Sequence, residues 1–558
     1  MYTQDFDPVS SSLGLTAIFA ALPLIALFLL LGGVRMKAQW AALIALGVAI
    51  AVALIVYSMP VGQTALSASE GAAFGLFPIM WIVVSAIWVY NITVDTGHFA
   101  VLRRSFGAIS DDQRIQAVIV AFCFGALMEA LAGFGTPVAI TAVMLIALGF
   151  KPIKAASLAL VANTAPVAFG AIATPIITLS EVTALDKGDL GSMVGRQTPF
   201  LALIVPLILI GMVDGRRGIR QAWPVAVVGG IAFALGQFAC SNFISVELTD
   251  IVASLFSTAC IVGFLRVWQP GEPLRAEVES RFTRPAVAGG EAHDPVMERE
   301  IVRRDDTRKD PPLEVFRAYA PYLIIIANFS IAQIGAVKDW LAESPWTTTF
   351  EWPGLDVRSP DGEALTSLTF NFNWLPAAGT LMLISGLITM ALLGVRPGRA
   401  LGTYGRTLDQ LKWAILTVAA VLALAYVMNQ SGQTISLGLW AAGAGELFAF
   451  LSALIGWLGV AVTGSDTSSN ALFGALQVQT AAKAGLDPLL LAAANSSGGV
   501  LGKMVSPQNL AIAAAAVGMA GQEGVIFRKV LGWSLVLLLF MCIIVTLQDT
   551  AILGWMVP

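Results

Sequence analysis

The chain has 558 residues, 57% of them hydrophobic and 12% charged, with a formal net charge of −4 at pH 7. Its mean hydropathy is +0.79. That balance excludes a soluble globular domain and predicts a polytopic membrane protein, while the absence of a basic stripe excludes a nucleic-acid partner.

From the N-terminus, Met1 to Leu13 is acidic and no small-residue cleavage pattern follows the first apolar run. That run is expected to be a retained span, not a signal peptide. A helix needs ~20 residues to cross a hydrocarbon core of about 30 Å. Apolar runs of this order recur near 15–34, 38–57, 71–91, 197–213, 222–245, 251–267, 318–337, 374–394, 411–429 and 530–548. Stretches 115–180 and 447–520 are apolar too, but Gly, Pro, Ser, Thr and Asn interrupt them. Interrupted backbone is tolerated at membrane depth only where protein buries it or it lines a wet cavity.

The expected fold is all-α and polytopic, with about 12–14 membrane segments. Residues 1–114 read as N-terminal scaffold spans, 115–180 as a first hairpin and broken helix, and 181–267 as further spans. A charged linker over 268–316 is followed by second-half scaffold spans over 317–446, with a loop at 338–373. Residues 447–520 form a second hairpin and broken helix, and 521–558 a C-terminal span.

Arg and Lys set the orientation. Arg35 and Lys37 follow the first span, Arg103, Arg104 and Arg114 the third, and Arg216, Arg217 and Arg220 the span ending near 213. Positively charged loops lie on the cytoplasmic side. The loop 338–373 is then external, with Trp340, Trp346, Trp352 and Trp374 at the membrane interface. The same bookkeeping brings 115–151 in from the cytoplasm as a re-entrant hairpin and 447–483 in from outside. The two halves are therefore expected to be inverted, which is a recipe for alternating access.

The interrupted stretches are two copies of one motif. Ala162-Asn163-Thr164-Ala165-Pro166 through Gly170 and Pro175 aligns with Ala494-Asn495-Ser496-Ser497-Gly498 through Gly502 and Pro507, and Gly133-Phe134-Gly135-Thr136 aligns with Gly464-Ser465-Asp466-Thr467. Broken helices expose backbone N–H groups that attract anions. Thr136, Asn163, Thr164, Ser465, Thr467, Ser468, Asn495, Ser496 and Ser497 supply hydroxyls and amides suited to a carboxylate with a hydroxyl beside it. Gly133, Gly135, Gly464, Gly498 and Gly499 let backbone approach a ligand closely. The competing reading makes these small residues helix-packing contacts.

Isolated charges are the other signal. Lys503 is an intramembrane ammonium, expected to meet an anionic substrate or a carboxylate. Asp466 and Glu129 are candidates for carrying a coupled proton, with helix capping by Asp466 as the plain alternative. His98 and His293 lie in the charged loops, Cys123, Cys240, Cys260 and Cys542 read as packing residues, and no metal or cofactor motif appears.

At Gly133-Phe134-Gly135-Thr136-Pro137, Ala162 through Gly170, Gly464-Ser465-Asp466-Thr467-Ser468-Ser469-Asn470-Ala471-Leu472-Phe473 and Asn495 through Met504, the chain resembles the lactate permease family. The resemblance extends along essentially the whole chain. It implies a secondary transporter, not an enzyme, that takes up lactate or glycolate with protons across a bacterial cytoplasmic membrane. Its implied partners are a small monocarboxylate anion, a proton and membrane lipid. The residues alone leave open a Na⁺-coupled carrier of another organic anion, a membrane-embedded enzyme, and a monomer against a homodimer.

Overall fold

A computed structural model of the chain describes residues 1–274 and 310–558, apart from Arg35, Ala132, Phe134, Gln333, Asp361, Glu363, Ala364, Thr366, Ser367, Ala520 and Gly521. Most of the expected linker, with His293, lies outside the described residues, as do two residues of the first hairpin tip.

Helices α1 (Leu13–Phe28) and α2 (Ala38–Ile55) open the chain. Next, α3 (Val61–Phe74) and α4 (Trp81–Asp95) form one bent span, because Pro78 lacks an N–H and Phe77 adopts an extended φ of −136°. A short α5 (His98–Gly107) leads to α6 (Gln113–Leu131) and α7 (Thr136–Ala147), the arms of the first hairpin. The first broken helix follows as α8 (Pro152–Ala162) and α9 (Gly170–Thr183), bent by 67°. Then comes α10 (Lys187–Phe243), whose 57 residues are too many for one crossing; it breaks at Asp214 and at Gly215, which takes a φ of +59°. Helix α11 (Thr249–Leu265) closes the first half.

The second half runs through α12 (Pro312–Ala332), α13 (Gly335–Ala342), α14 (Ala378–Leu392), α15 (Pro397–Ser431) and α16 (Gln433–Ala441). Its hairpin is α17 (Leu447–Thr463) with α18 (Asp466–Ala484), and its broken helix is α19 (Pro488–Gly502) with α20 (Pro507–Ala516). A final helix, α21 (Glu523–Gln548), completes the bundle. Among the described residues eight helices are long and apolar enough to cross a membrane, or nine when α8 and α9 count as one span. The shorter apolar helices α7, α11, α14 and α17 add to these. The protein is an all-α polytopic membrane protein.

Strands are confined to one end. β1 (Tyr2–Thr3) pairs in parallel with β3 (Val357–Arg358), and β2 (Thr348–Glu351) pairs antiparallel with β4 (Thr369–Phe372). The Gln4 amide donates to the carbonyls of Asn429 and Gln430, tying the N-terminus to the C-terminal end of α15. The tryptophans of loop 338–373 cluster there: Trp346 stands 4.9 Å from Trp340 and 5.6 Å from Trp374, ring to ring, and Trp352 packs on Phe370.

The opposite end is rich in arginine. At the start of α15, Arg406 pairs with Asp95 at the end of α4, while Arg104 pairs with Asp310. Arg114 bonds Asp112, Asp214 and the Glu272 carbonyl, and Lys154 donates to the Val213 carbonyl. Both ends of the first hairpin therefore lie at the arginine-rich end, beside the turn within α10. Both ends of the second hairpin lie at the other, where Glu446 and Asp487 sit close enough to Asp549 to repel its charge and Arg196 donates to the nearby Met556 carbonyl. The hairpins enter from opposite ends.

Packing repeats the relationship. Helix α7 packs on α20 while α18 packs on α9, and α10 packs on α19 while α21 packs on α8. Small residues permit the closest approaches: a Cβ on Gly456 would come 1.9 Å from the Asn495 carbonyl oxygen, and one on Gly498 would come 2.1 Å from that of Ala453. Small-residue contacts of this kind are the main adhesive between helices in lipid, where no hydrophobic force separates helix from solvent.

Candidate functional site

The two halves diverge at their broken helices for a reason visible in the chain. In the first copy Pro166 cannot donate to the preceding turn, and helix α8 ends at Ala162. The second copy has Gly498 in that place, and α19 continues through Asn495, Ser496, Ser497, Gly498 and Gly499 to Gly502. Its break falls at Lys503–Val505, just before Pro507. The second Asn-Ser-Ser-Gly-Gly motif is thus inside a helix, not at an interruption.

Lys503 occupies the second break. Its Nζ donates to Glu129 Oε1 at 2.5 Å, and Asn163 Nδ2 donates to Glu129 Oε2 at 2.9 Å. One carboxylate thereby joins hairpin arm α6, the first break and the second break. All three side chains are buried, and Asn163 Oδ1 has no partner among the described residues. Gly170 lies against this carboxylate so closely that a Cβ there would stand 2.7 Å from Oε1.

Across from the pair is the second hairpin tip. Gly464 turns the chain with a φ of +79°, a conformation that a side chain would strain. Ser465 caps α18 by accepting the N–H of Ser468. The capping role considered for Asp466 therefore belongs to Ser465. Asp466 instead accepts the Ser496 hydroxyl at 2.6 Å on Oδ2, and its Oδ1 has no partner among the described residues. That oxygen faces Gly499, whose Cβ would lie 2.3 Å away.

Between these groups is a cavity of about 220 Å³. Glu129, Gly133, Gly464, Ser465, Asp466, Thr467, Ser468 and Lys503 line one side, with Gly170, Pro175 and Gln508. The facing wall is Ala38 and Gln39 of α2 and Trp413, Ala414, Thr417 and Val418 of α15. Ala38 and Gln39 stand at the start of α2, and the lining residues of α15 stand about the middle of that helix. A single ammonium beside hydroxyls, opposite a largely apolar wall, suits a small anion with a short apolar tail.

Several expected residues sit elsewhere. Thr136 begins α7, half-buried and away from the cavity wall. The Thr164 hydroxyl donates back to the Val161 carbonyl within its own turn. Asn495 donates to Asn470 Oδ1 at 2.9 Å and accepts from Gln477 Nε2 at 3.1 Å, wholly buried between α18 and α19. Ser497 is buried, and its hydroxyl has no partner among the described residues. Gly135 presses on Ile512 and Asn509 of α20, and Gly498 on the backbone of α17, so both pack helices together instead of facing the cavity.

Other polar groups escaped sequence reasoning. Gln477 links Asn495 to Ser452, Asn509 Nδ2 donates to the Gly464 carbonyl, and Asp250 is buried on α11. Asp250 Oδ1 accepts from Gln237, which also donates to the Ala165 carbonyl beside the first break, and Oδ2 has no partner among the described residues. Each is a lone amide or acid in an apolar run, which was signal enough to find them. Among the described residues no group of three or more His, Cys, Asp or Glu could hold a metal ion.

Comparison with known proteins identifies the family. The family model described as L-lactate permease matches residues 16–552. The chain is 41% identical to an L-lactate permease of Escherichia coli K12, covering all of both chains, and 40% identical to one of Bacillus subtilis 168 over the same full coverage. It is 40% identical to the glycolate permease GlcA of E. coli K12, over 100% of this chain and 99% of that one. Among solved structures, Neisseria gonorrhoeae MtrF aligns at 14% identity with a TM-score of 0.44, over 86% of this chain and 82% of that one, a likeness too distant to carry an argument. The match over nearly the whole length places the chain in the L-lactate permease family.

Proposed function

We propose that this chain takes up lactate, and glycolate as a smaller analogue, together with protons across a bacterial cytoplasmic membrane, with its arginine-rich end inside. The observation that carries the reading is the Lys503–Glu129 pair on the wall of the 220 Å³ cavity, with Asn163 bonding Glu129 from behind that wall. It offers an ammonium for a carboxylate, and a buried acid that can hold a proton when that ammonium is engaged. Ser465, Thr467 and Ser468 supply partners for the substrate hydroxyl, and Glu129 and Asp466 are the candidates for the coupled proton. Relatives named for lactate and glycolate transport support the substrate class. The inverted hairpins support alternating access by a carrier.

The test is uptake of labelled L-lactate into proteoliposomes under an imposed pH gradient, with and without Na⁺. Accumulation driven by the pH gradient in Na⁺-free buffer is the expected result. Accumulation that requires Na⁺ replaces the proton with sodium, and no accumulation under either gradient removes the transport assignment.

A further inference from the structure

The buried centre contains three carboxyls and one ammonium. Glu129, Asp466 and Asp250 are each at most 3% exposed and Lys503 is 5% exposed. Lys503 bonds Glu129 alone of the three. Among the described residues Asp466 has only the Ser496 hydroxyl and Asp250 only the Gln237 amide as hydrogen-bond donors. An ionised carboxylate deep in a membrane protein needs a counter-ion, and neither aspartate has one in bonding reach among the described residues. The cluster is therefore neutral with one ion pair and two protonated aspartic acids.

An entering carboxylate brings a second negative charge and no second cation. From this the geometry points to an exchange: the substrate carboxylate displaces Glu129 as the partner of Lys503 Nζ, and Glu129 alone then takes up the coupled proton, while Asp466 and Asp250 keep theirs throughout. The inference rests on the proton-coupled reading above and selects one of its two candidate acids. In the step, Nζ–H···Oε1 is replaced by a hydrogen bond to substrate oxygen, and a hydronium ion from the solution on the entry side gives its proton to Glu129 Oε and leaves as water. Release reverses both, handing the proton to water on the far side as the ion pair re-forms. Both the empty and the loaded centre are then neutral, with one proton per anion. Exchange also cuts the bond between the first hairpin and the second break, which makes substrate binding mechanically visible to both halves.

The groups acting on Glu129 are few. Lys503 and Asn163 bond it, and Asp466 and Asp250 lie close enough to feel its charge, which favours their protonated forms. Other titratable groups on α6 and on the elements packed against it are engaged elsewhere, among them Cys123 with Ser257, Arg114 with Asp112 and Asp214, Lys154 with the Val213 carbonyl, Lys187 with Glu247, Cys240 with the Ser245 carbonyl, and Tyr90 against Phe99.

The experiment measures the apparent affinity for L-lactate against pH, by equilibrium exchange in proteoliposomes, in wild type, Glu129→Gln, Asp466→Asn and Asp250→Asn. Wild-type affinity is expected to weaken by up to about tenfold per pH unit on the alkaline side, as linkage to one proton requires. Glu129→Gln is expected to bind lactate with no pH dependence, to sustain exchange and to lose gradient-driven accumulation. The two aspartate variants, whatever their turnover, keep the wild-type slope. A retained slope in Glu129→Gln, or a slope lost in either aspartate variant, overturns the assignment. Where Gln is not tolerated, Glu129→Asp keeps the acid and must displace the pH profile; an undisplaced profile overturns it equally. A wild type whose lactate uptake ignores the pH gradient would instead sink the proton-coupled reading itself.

Discussion

Lys503 Nζ and Glu129 Oε1 meet at 2.5 Å across 374 positions of sequence, inside a bundle where both side chains are almost wholly buried. This bond ties the two halves together at the depth of their breaks. A buried ion pair is a poor source of stability but a sensitive one, because removing one partner strands the other charge.

Lys503→Met is accordingly expected to destabilise the folded protein by about 3–5 kcal/mol and to depress both uptake and exchange of lactate. The double variant Lys503→Met/Glu129→Gln removes both charges. Its thermal stability in detergent should recover most of the loss, while transport stays absent. Stability no better in the double than in the single variant would mean that the pair is not the partner arrangement of the folded state.

Asn163 and Asn495 look equivalent in the sequence, and the structure separates them. Asn163 holds Glu129 at the cavity wall, whereas Asn495 is consumed by Asn470 and Gln477. Asn163→Ala should weaken lactate binding and alter its pH profile with little loss of folded protein. Asn495→Ala leaves two buried amides short of partners and should lower stability by roughly 1–3 kcal/mol, with affinity in the surviving protein near normal. Thermal unfolding set beside exchange kinetics distinguishes them, and a reversed pattern would move the site toward α19.

Gly499 and Gly456 make a second contrasting pair. A Cβ on Gly499 would lie 2.3 Å from Asp466 Oδ1, a side-chain atom that can turn aside into the cavity, while one on Gly456 meets the Asn495 backbone at 1.9 Å. Gly499→Ala should fold and lose transport, by at least about tenfold, the effect of roughly 1.4 kcal/mol of misplaced binding. Gly456→Ala should fail to fold, since two backbones would have to separate. Yield after size-exclusion chromatography checks both.

Much of this was legible in the sequence because a bilayer permits so few backbones. Apolar run lengths marked the spans, and the Gly-Pro-Asn interruptions marked both hairpins. The loops bearing Arg114 and Arg217 gathered at one end, as their charge demanded. The role of Asn495 was not legible, because motif similarity does not say where a helix stops; that depended on Pro166 standing opposite Gly498. Nor could the chain reveal that Glu129 would reach Lys503. That pairing is set by the packing of α7 on α20, a long-range contact with no local signature.

Orientation gives the final prediction. The arginine-rich end contains the turn at Gly215, which is open space with a φ of +59°, and the tryptophan-rich end contains Trp346 and the turn that follows Ala484. Cytoplasmic loops carry the excess of Lys and Arg, so the first end should be inside. In intact cells an impermeant thiol reagent is expected to label Trp346→Cys and Ala484→Cys and to spare Gly215→Cys until the membrane is opened, in a background where the four native cysteines, three of them buried, are replaced. Both hairpins depend on this result. The ends of the first share the Gly215 side and those of the second share the Trp346 side, so labelling of all three positions from one face would break the inverted arrangement. A clean reversal would keep the inversion and turn the carrier over in the membrane.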